Sequence, residues 1–235
     1  MSFLDLFRRK EPSDRALQLR PVALVKRKLT DRNNRIRAED AICAAAAIVG
    51  ERCIDAAGDY PLREHDIIPG QRVFSTKANE LLCGDSLETG IEPNSIFGLI
   101  LARVKPAAYP PAAFPDARSV FTGYAAGIGK TEDWGKVPVT VPPNHQPWII
   151  PLQFGYDTRD EIDSILKPVE ADKIRCLRIA VGALVDLLNQ MAGAIDPALA
   201  LLLAFEICNG MAKTAPMTKK AFLTVKNSAP GKPKT

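Results

Sequence analysis

From Val169 to Lys213 apolar residues recur at spacings of three and four, the strongest rhythm in the chain. Ile174, Leu177, Val181, Leu184, Leu188, Met191 and Ile195 form one stripe along an α-helix, because a helix turns once in 3.6 residues. Asp172, Lys173, Arg175, Arg178 and Asp186 fall mostly off that stripe. Ile195-Asp196-Pro197 then breaks the chain and restarts it. Asp196 suits an N-cap, and Pro197 suits a first turn, where no amide hydrogen is needed. The next helix, PALALLLAFEICNGMAK, carries only Glu206 as a charge up to Cys208. A helix apolar nearly all round belongs in a core or an interface. The pattern predicts a helical hairpin whose second arm is wrapped by the rest of the protein.

Other helices follow from the same period. Ile42, Ala46, Val49, Cys53 and Ala57 predict a helix over 35–57, stopped by Gly58 as a left-handed residue beyond the last turn. Thr76–Cys83 reads as a short helix ended by Gly84, and Asn94 or Ser95 caps a helix running through Arg103. Thr158-Arg159-Asp160-Glu161 reads as a capping box opening a helix through Lys167. Residues 11–38, polar and basic with Leu17, Leu19, Val22, Leu24, Val25 and Leu29 interspersed, read as a strand or a partly ordered arm.

A second period appears between 137 and 156. Val137, Val139 and Val141 alternate with Pro138, Thr140 and Pro142; Trp148, Ile150, Leu152, Phe154 and Tyr156 alternate with their neighbours. Period two with an aromatic face predicts strands, and the prolines confine them to edges. Arg72-Val73-Phe74 reads as a further short strand, and the Pro- and Ala-rich run 105–115 as an extended connector. The expected fold class is α+β and predominantly α-helical: a helical core around a C-terminal helix hairpin with a small Pro-interrupted β element. Its expected division is a basic amphipathic arm over 1–30, one mostly helical domain over 31–213, and a Lys-rich flexible tail over 214–235.

Charge sharpens this division. Residues 1–38 carry 11 Lys/Arg against 4 Asp/Glu, and residues 213–235 carry 6 Lys and no acid, whereas the middle carries 14 basic against 23 acidic residues. The formal net charge of +4 hides an acidic body with two basic ends. The odd number of cysteines, five, with no C-x-x-C pair, points to buried thiols in a reduced compartment. No metal site is expected, since neither His65 nor His145 stands at ligand spacing from a cysteine. No signal peptide is read, and no run approaches the roughly 18 apolar residues of a membrane helix. The expected location is the cytoplasm, or the inside of an assembled particle.

Candidate chemistry is sparse. Gly123-Tyr124-Ala125-Ala126-Gly127-Ile128-Gly129-Lys130-Thr131 approaches a phosphate-binding P-loop, with Gly127, Gly129, Lys130 and Thr131 as the candidate phosphate contacts. The first glycine of that motif stands one position too early, at Gly123, and no helix pattern follows Thr131. Without a helix N-terminus the amides lose their dipole and geometry. His145 with Trp134 and Trp148 forms a candidate recognition surface, against the simpler reading of a packed loop. Phe3, Leu4 and Phe7 share one helical face beside Arg8, Arg9 and Lys10, a pattern that suits a membrane interface or a partner. Arg8, Arg9, Lys10, Lys26, Arg27, Lys28, Arg32 and Arg35, with Lys219 and Lys220 in the tail, are candidate contacts for a polyanion or a partner.

No nucleophile stands beside a base in a readable pattern, so the reading leans away from an enzyme, and no cofactor is implied. The expected function is non-enzymatic interaction or assembly, with basic ends on an acidic helical body. A homo-oligomer is the expected assembly, nucleic acid or another polyanion a candidate partner. Two alternatives stand beside it: a cytosolic enzyme using phosphate or nucleotide at 123–131, and a peripheral membrane protein anchored by the N-terminal segment.

Overall fold

The computed structural model describes residues 12–58, 70–85, 90–128 and 135–217. Among these, eight α-helices carry the fold: α1 (Asp14–Leu29), α2 (Ala38–Ala57), α3 (Thr76–Cys83), α4 (Ile96–Arg103), α5 (Ala117–Gly127), α6 (Pro151–Leu166), α7 (Lys173–Met191) and α8 (Pro197–Met211). The protein is predominantly helical, as its periodicity predicts.

Local chemistry sets the helix ends. The side chains of Ser13, Ser75, Ser95, Asp116, Asp172 and Asp196 each accept a first-turn amide hydrogen, which satisfies donors the helix leaves unpaired. Gly58 ends α2 at φ 67°, and its amide donates to Ile54 O, the left-handed ending that favours glycine.

At the centre stands α2, buried along nearly its whole length and packed chiefly on α7 and α8. The expected hairpin turn exists, with Asp196 accepting from Ala198 N and Leu199 N. Its two arms diverge, however, and the alanine-rich face of α2 fills the space between them. Small residues let three backbones approach. At Gly50 an added Cβ would lie 2.4 Å from Met211 Cβ and 2.9 Å from Cys208 O. Phe205 of α8 stacks on Phe97 of α4 with centroids 4.0 Å apart, and Phe97 meets Phe121 of α5 edge-on at 6.4 Å. Tyr109 is buried and donates to Leu188 O at 2.6 Å, and burial pushes its hydroxyl up to about 12.

Residues 14–29 form α1 rather than a strand or loose arm, and Leu17, Val22, Leu24 and Val25 are buried in the common core. Pro21 faces Ala45 and Ile48 of α2 and Ala180, Ala183 and Leu187 of α7. Gln18 lies where a side chain at Gly182 would stand and donates to Gly182 O and Asp186.

No strand occurs among the described residues, so the Pro-interrupted β element is not found there. Pro151 is the first residue of α6, and the segment read as a second strand turns helical there. Pro151, Gly155, Thr158, Ile162 and Leu166 form its buried stripe. Thr158 does not cap a helix: it lies inside α6, its hydroxyl donating to Phe154 O at 2.7 Å. Residues 137–141 pair with no strand among the described residues, and Glu206 takes the amide and hydroxyl of Thr140 in place of a ladder partner. The nearest approach to a sheet is one antiparallel bridge, Arg72 to Thr214, where Val73 N donates to Lys213 O and Ala215 N to Gln71 O. Within 105–115 the chain makes a turn and a 3-10 segment, Pro111–Ala113, rather than running extended throughout.

Candidate functional site

The described helices hold most of their ionised groups in internal pairs. Between α2 and α6, Glu51 is 3.0 Å from Arg159, and Arg52 is 2.8 Å from Asp163 and 3.2 Å from Asp55. Gly155 makes room for them: an added Cβ would lie 2.3 Å from Glu51 Oε1. Burial raises the Glu51 carboxyl, and the flanking Arg159 and Arg52 pull against that rise. Burial also raises the Glu206 carboxyl, opposed by its hydrogen bonds from Thr140. These carboxylates tie segments together.

The basic residues expected to meet a partner divide in two. Arg27 and Lys28 both turn onto Glu161 of α6, and Arg35 pairs with Asp31 four residues away. Lys26 is half-buried and Arg32 exposed, neither with an acidic partner among the described residues. Arg8, Arg9, Lys10, Lys219 and Lys220 lie outside the described residues, as do Phe3, Leu4 and Phe7. Gly127 is the last residue of α5, packed against Pro138. A helix, not a strand, therefore leads into the Gly-rich motif; Gly129, Lys130 and Thr131 lie outside the described residues.

Two clusters stand out by geometry. The first brackets the N-terminus of α2. Arg37 donates to Asn144 O at 2.8 Å and Gln146 O at 2.7 Å, and its guanidinium lies 4.4 Å from the Trp148 ring centre. His145 Nδ1 lies 2.8 Å from Glu39 Oε1, and Asp40 accepts from Trp148 N at 2.7 Å. These contacts brace a loop already stiffened by Pro142, Pro143 and Pro147. Trp148 is held by its backbone and one stacked cation, yet 81% of it is exposed. The sequence places His145 and Trp148 together but gives no sign of Arg37, Glu39 and Asp40, more than 100 residues away. Trp134 lies outside the described residues.

The second cluster lies at the end of α8. Lys213 is 4% exposed, with its ammonium 3.9 Å from the Phe121 ring centre and 5.3 Å from that of Tyr124. It donates to Asn209 Oδ1. Burial lowers the amine from its ordinary 10.5 to about 8. The Arg72 guanidinium lies 5.4 Å from the Tyr124 ring centre and donates to Thr214 Oγ1 at 2.7 Å. No periodicity marks this cluster, which joins α5, α8 and the segment before α3.

Among the described residues no group of three His, Cys, Asp or Glu is placed to hold a metal, and no helix is long and apolar enough to cross a membrane. Comparison with protein-family models, curated proteins and solved structures finds no match.

Proposed function

We propose that the chain is a non-enzymatic interaction protein that assembles with further copies of itself, its basic ends meeting the acidic body of a neighbour. The carrying observation is Trp148, 81% exposed on a braced, proline-rich loop. A rigid, half-stacked Trp beside Arg is the composition of an interface anchor, since it buries a large apolar area with little loss of side-chain freedom. The charge layout supports a neighbour of the same kind: both ends are basic, and the stretch between them carries 23 acidic against 14 basic residues. Such a contact is heterologous and repeats into rings or filaments. The turning of Arg27 and Lys28 onto Glu161 weighs against a polyanion held by the 26–28 run.

The test is the mass of the full chain by light scattering across concentration, at low and high salt. Wild type is expected to grow with concentration, and less so at high salt, because exposed charge contacts are screened. Trp148→Ala is expected to weaken association at least about tenfold, the loss typical of a central anchor. Thermal stability should barely change, since an exposed side chain contributes within about 0.5 kcal/mol. A wild-type chain monomeric under all conditions overturns the proposal. So does a Trp148→Ala chain that associates like wild type.

A further inference from the structure

The cluster at the end of α8 has a chemical imbalance that neither packing nor assembly explains: its free groups are donors. Lys213 gives one hydrogen to Asn209 Oδ1, and no carboxylate pairs with it among the described residues. Only the oxygen of that amide can face an ammonium. Asn209 Nδ2 therefore sits beside the same charge, fully buried and without a partner. Tyr124 is 4% exposed, and its hydroxyl has no hydrogen-bond partner of good geometry, although Arg72 and Thr214 stand close enough to oppose the rise that burial gives it. Thr214 accepts from Arg72 and donates to Gly210 O at 2.7 Å, which uses its one hydrogen and one of its two acceptor positions.

Lys213 with its Asn209 neighbour and Arg72 with the Tyr124 phenol thus flank the rings of Phe121 and Tyr124. Unpaired donors and an uncompensated charge in such a place are unfavourable. A water molecule would accept from two of them and leave the charge unmet. A compact oxyanion accepts from all of them, and the low polarity of the aromatic wall strengthens every contact. Arg72 is half-buried and already donates through Nη1 to Thr214 Oγ1 at 2.7 Å and through Nη2 to Lys136 O at 3.3 Å, so it supplies positive charge beside the site through its remaining N–H groups.

We propose that Lys213, Arg72, Tyr124 and Asn209 form a binding site for a small phosphate-type oxyanion. Tyr124 lies within the Gly123–Thr131 motif, but the donors here are side chains of three segments, not the amides of a P-loop. The assembly reading is independent of this site.

Binding of inorganic phosphate to the full chain is measured by equilibrium dialysis and by ³¹P line broadening, in a zwitterionic buffer with chloride matching the ionic strength. Wild type is expected to bind one phosphate saturably. Tyr124→Phe keeps both rings and removes one hydroxyl; it should bind about tenfold more weakly, the loss of one hydrogen bond to a charged group. Lys213→Met should abolish binding, whereas Lys77→Met, on the exposed side of α3, should bind like wild type. Competition by glycerol phosphate assigns the site to phosphomonoesters, and its failure assigns it to the free ion. Absence of saturable binding in wild type overturns the proposal, as does binding that Tyr124→Phe leaves unchanged.

Discussion

Replacing Lys213 by Met should stabilise the protein at neutral pH. The unfolded chain holds this amine at its ordinary 10.5, and burial brings it to about 8 in the fold. At about 1.4 kcal/mol per unit, the folded ammonium is disfavoured by roughly 3 kcal/mol. The sign follows from proton counts. Between the two values the folded state holds fewer protons than the unfolded one, so stability rises with pH across that window and is depressed below it. Methionine fills the same volume against Phe121 without a charge, but it leaves Asn209 Oδ1 without its donor, which costs about 1–2 kcal/mol. The net expectation is a gain of about 1–2 kcal/mol near pH 7. Urea unfolding of both proteins reads it as a higher midpoint at an unchanged slope. The gap should close by about 1.4 kcal/mol near pH 9 and reverse above that as the wild-type amine deprotonates. Cys43 and Cys208, pushed up by burial, weaken both proteins alike as pH rises, and they cancel in the difference. Saturating phosphate should favour wild type alone, because only the lysine form binds it. A Lys213→Met chain less stable than wild type near pH 7, with a gap independent of pH, would show the ammonium to be well paired and refute the reasoning.

Two further substitutions probe the packing. Gly50→Ala places a methyl 2.4 Å from Met211 Cβ and against the backbone of α8; overpacking of this kind costs about 1–3 kcal/mol, measurable as a lower melting temperature, and an unchanged melting temperature would mean α2 and α8 are less tightly docked. Glu206→Ala removes the carboxylate that accepts from the part-buried Thr140 amide and hydroxyl and should destabilise by about 1–3 kcal/mol, whereas Glu206→Gln should cost less. Because burial raises the Glu206 carboxyl above its unfolded value, its contribution falls as pH rises from the unfolded value through the folded one, so wild type should gain on Glu206→Gln as the pH is lowered.

How much of this was visible in the chain depends on distance along it. Helix starts were legible at Ser95 and Asp196, where capping chemistry is complete within four residues of a clear apolar run, but not at Ser13 or Asp116, which cap α1 and α5. Pro151 was misread because the alternation Ile150, Leu152, Phe154, Tyr156 mimics a strand over seven residues; the longer stripe Pro151, Gly155, Thr158, Ile162, Leu166 outweighs it only when α2 supplies a surface to bury it on. In α1, the apolar residues Leu17, Val22, Leu24 and Val25 are spaced three and four apart only in part, with cations between them. Its helix is stabilised by what it covers on α2 and α7, with its charges turned to solvent, to Glu161 of α6 and to Arg175 and Asp186 of α7. Lys213 was hidden for the opposite reason. It opens a Lys-rich run and reads as the first residue of a basic tail, yet the backbone here does not leave the fold. Residues 213–215 turn back from α8 to bond with 70–73, and that turn carries the lysine inward beneath Phe121 and Tyr124. Burying an ammonium works against folding, and burying it beside donors works against folding further. Binding of the proposed oxyanion would offset part of that cost, and the phosphate titration of Lys213 and Tyr124 variants tests whether it does.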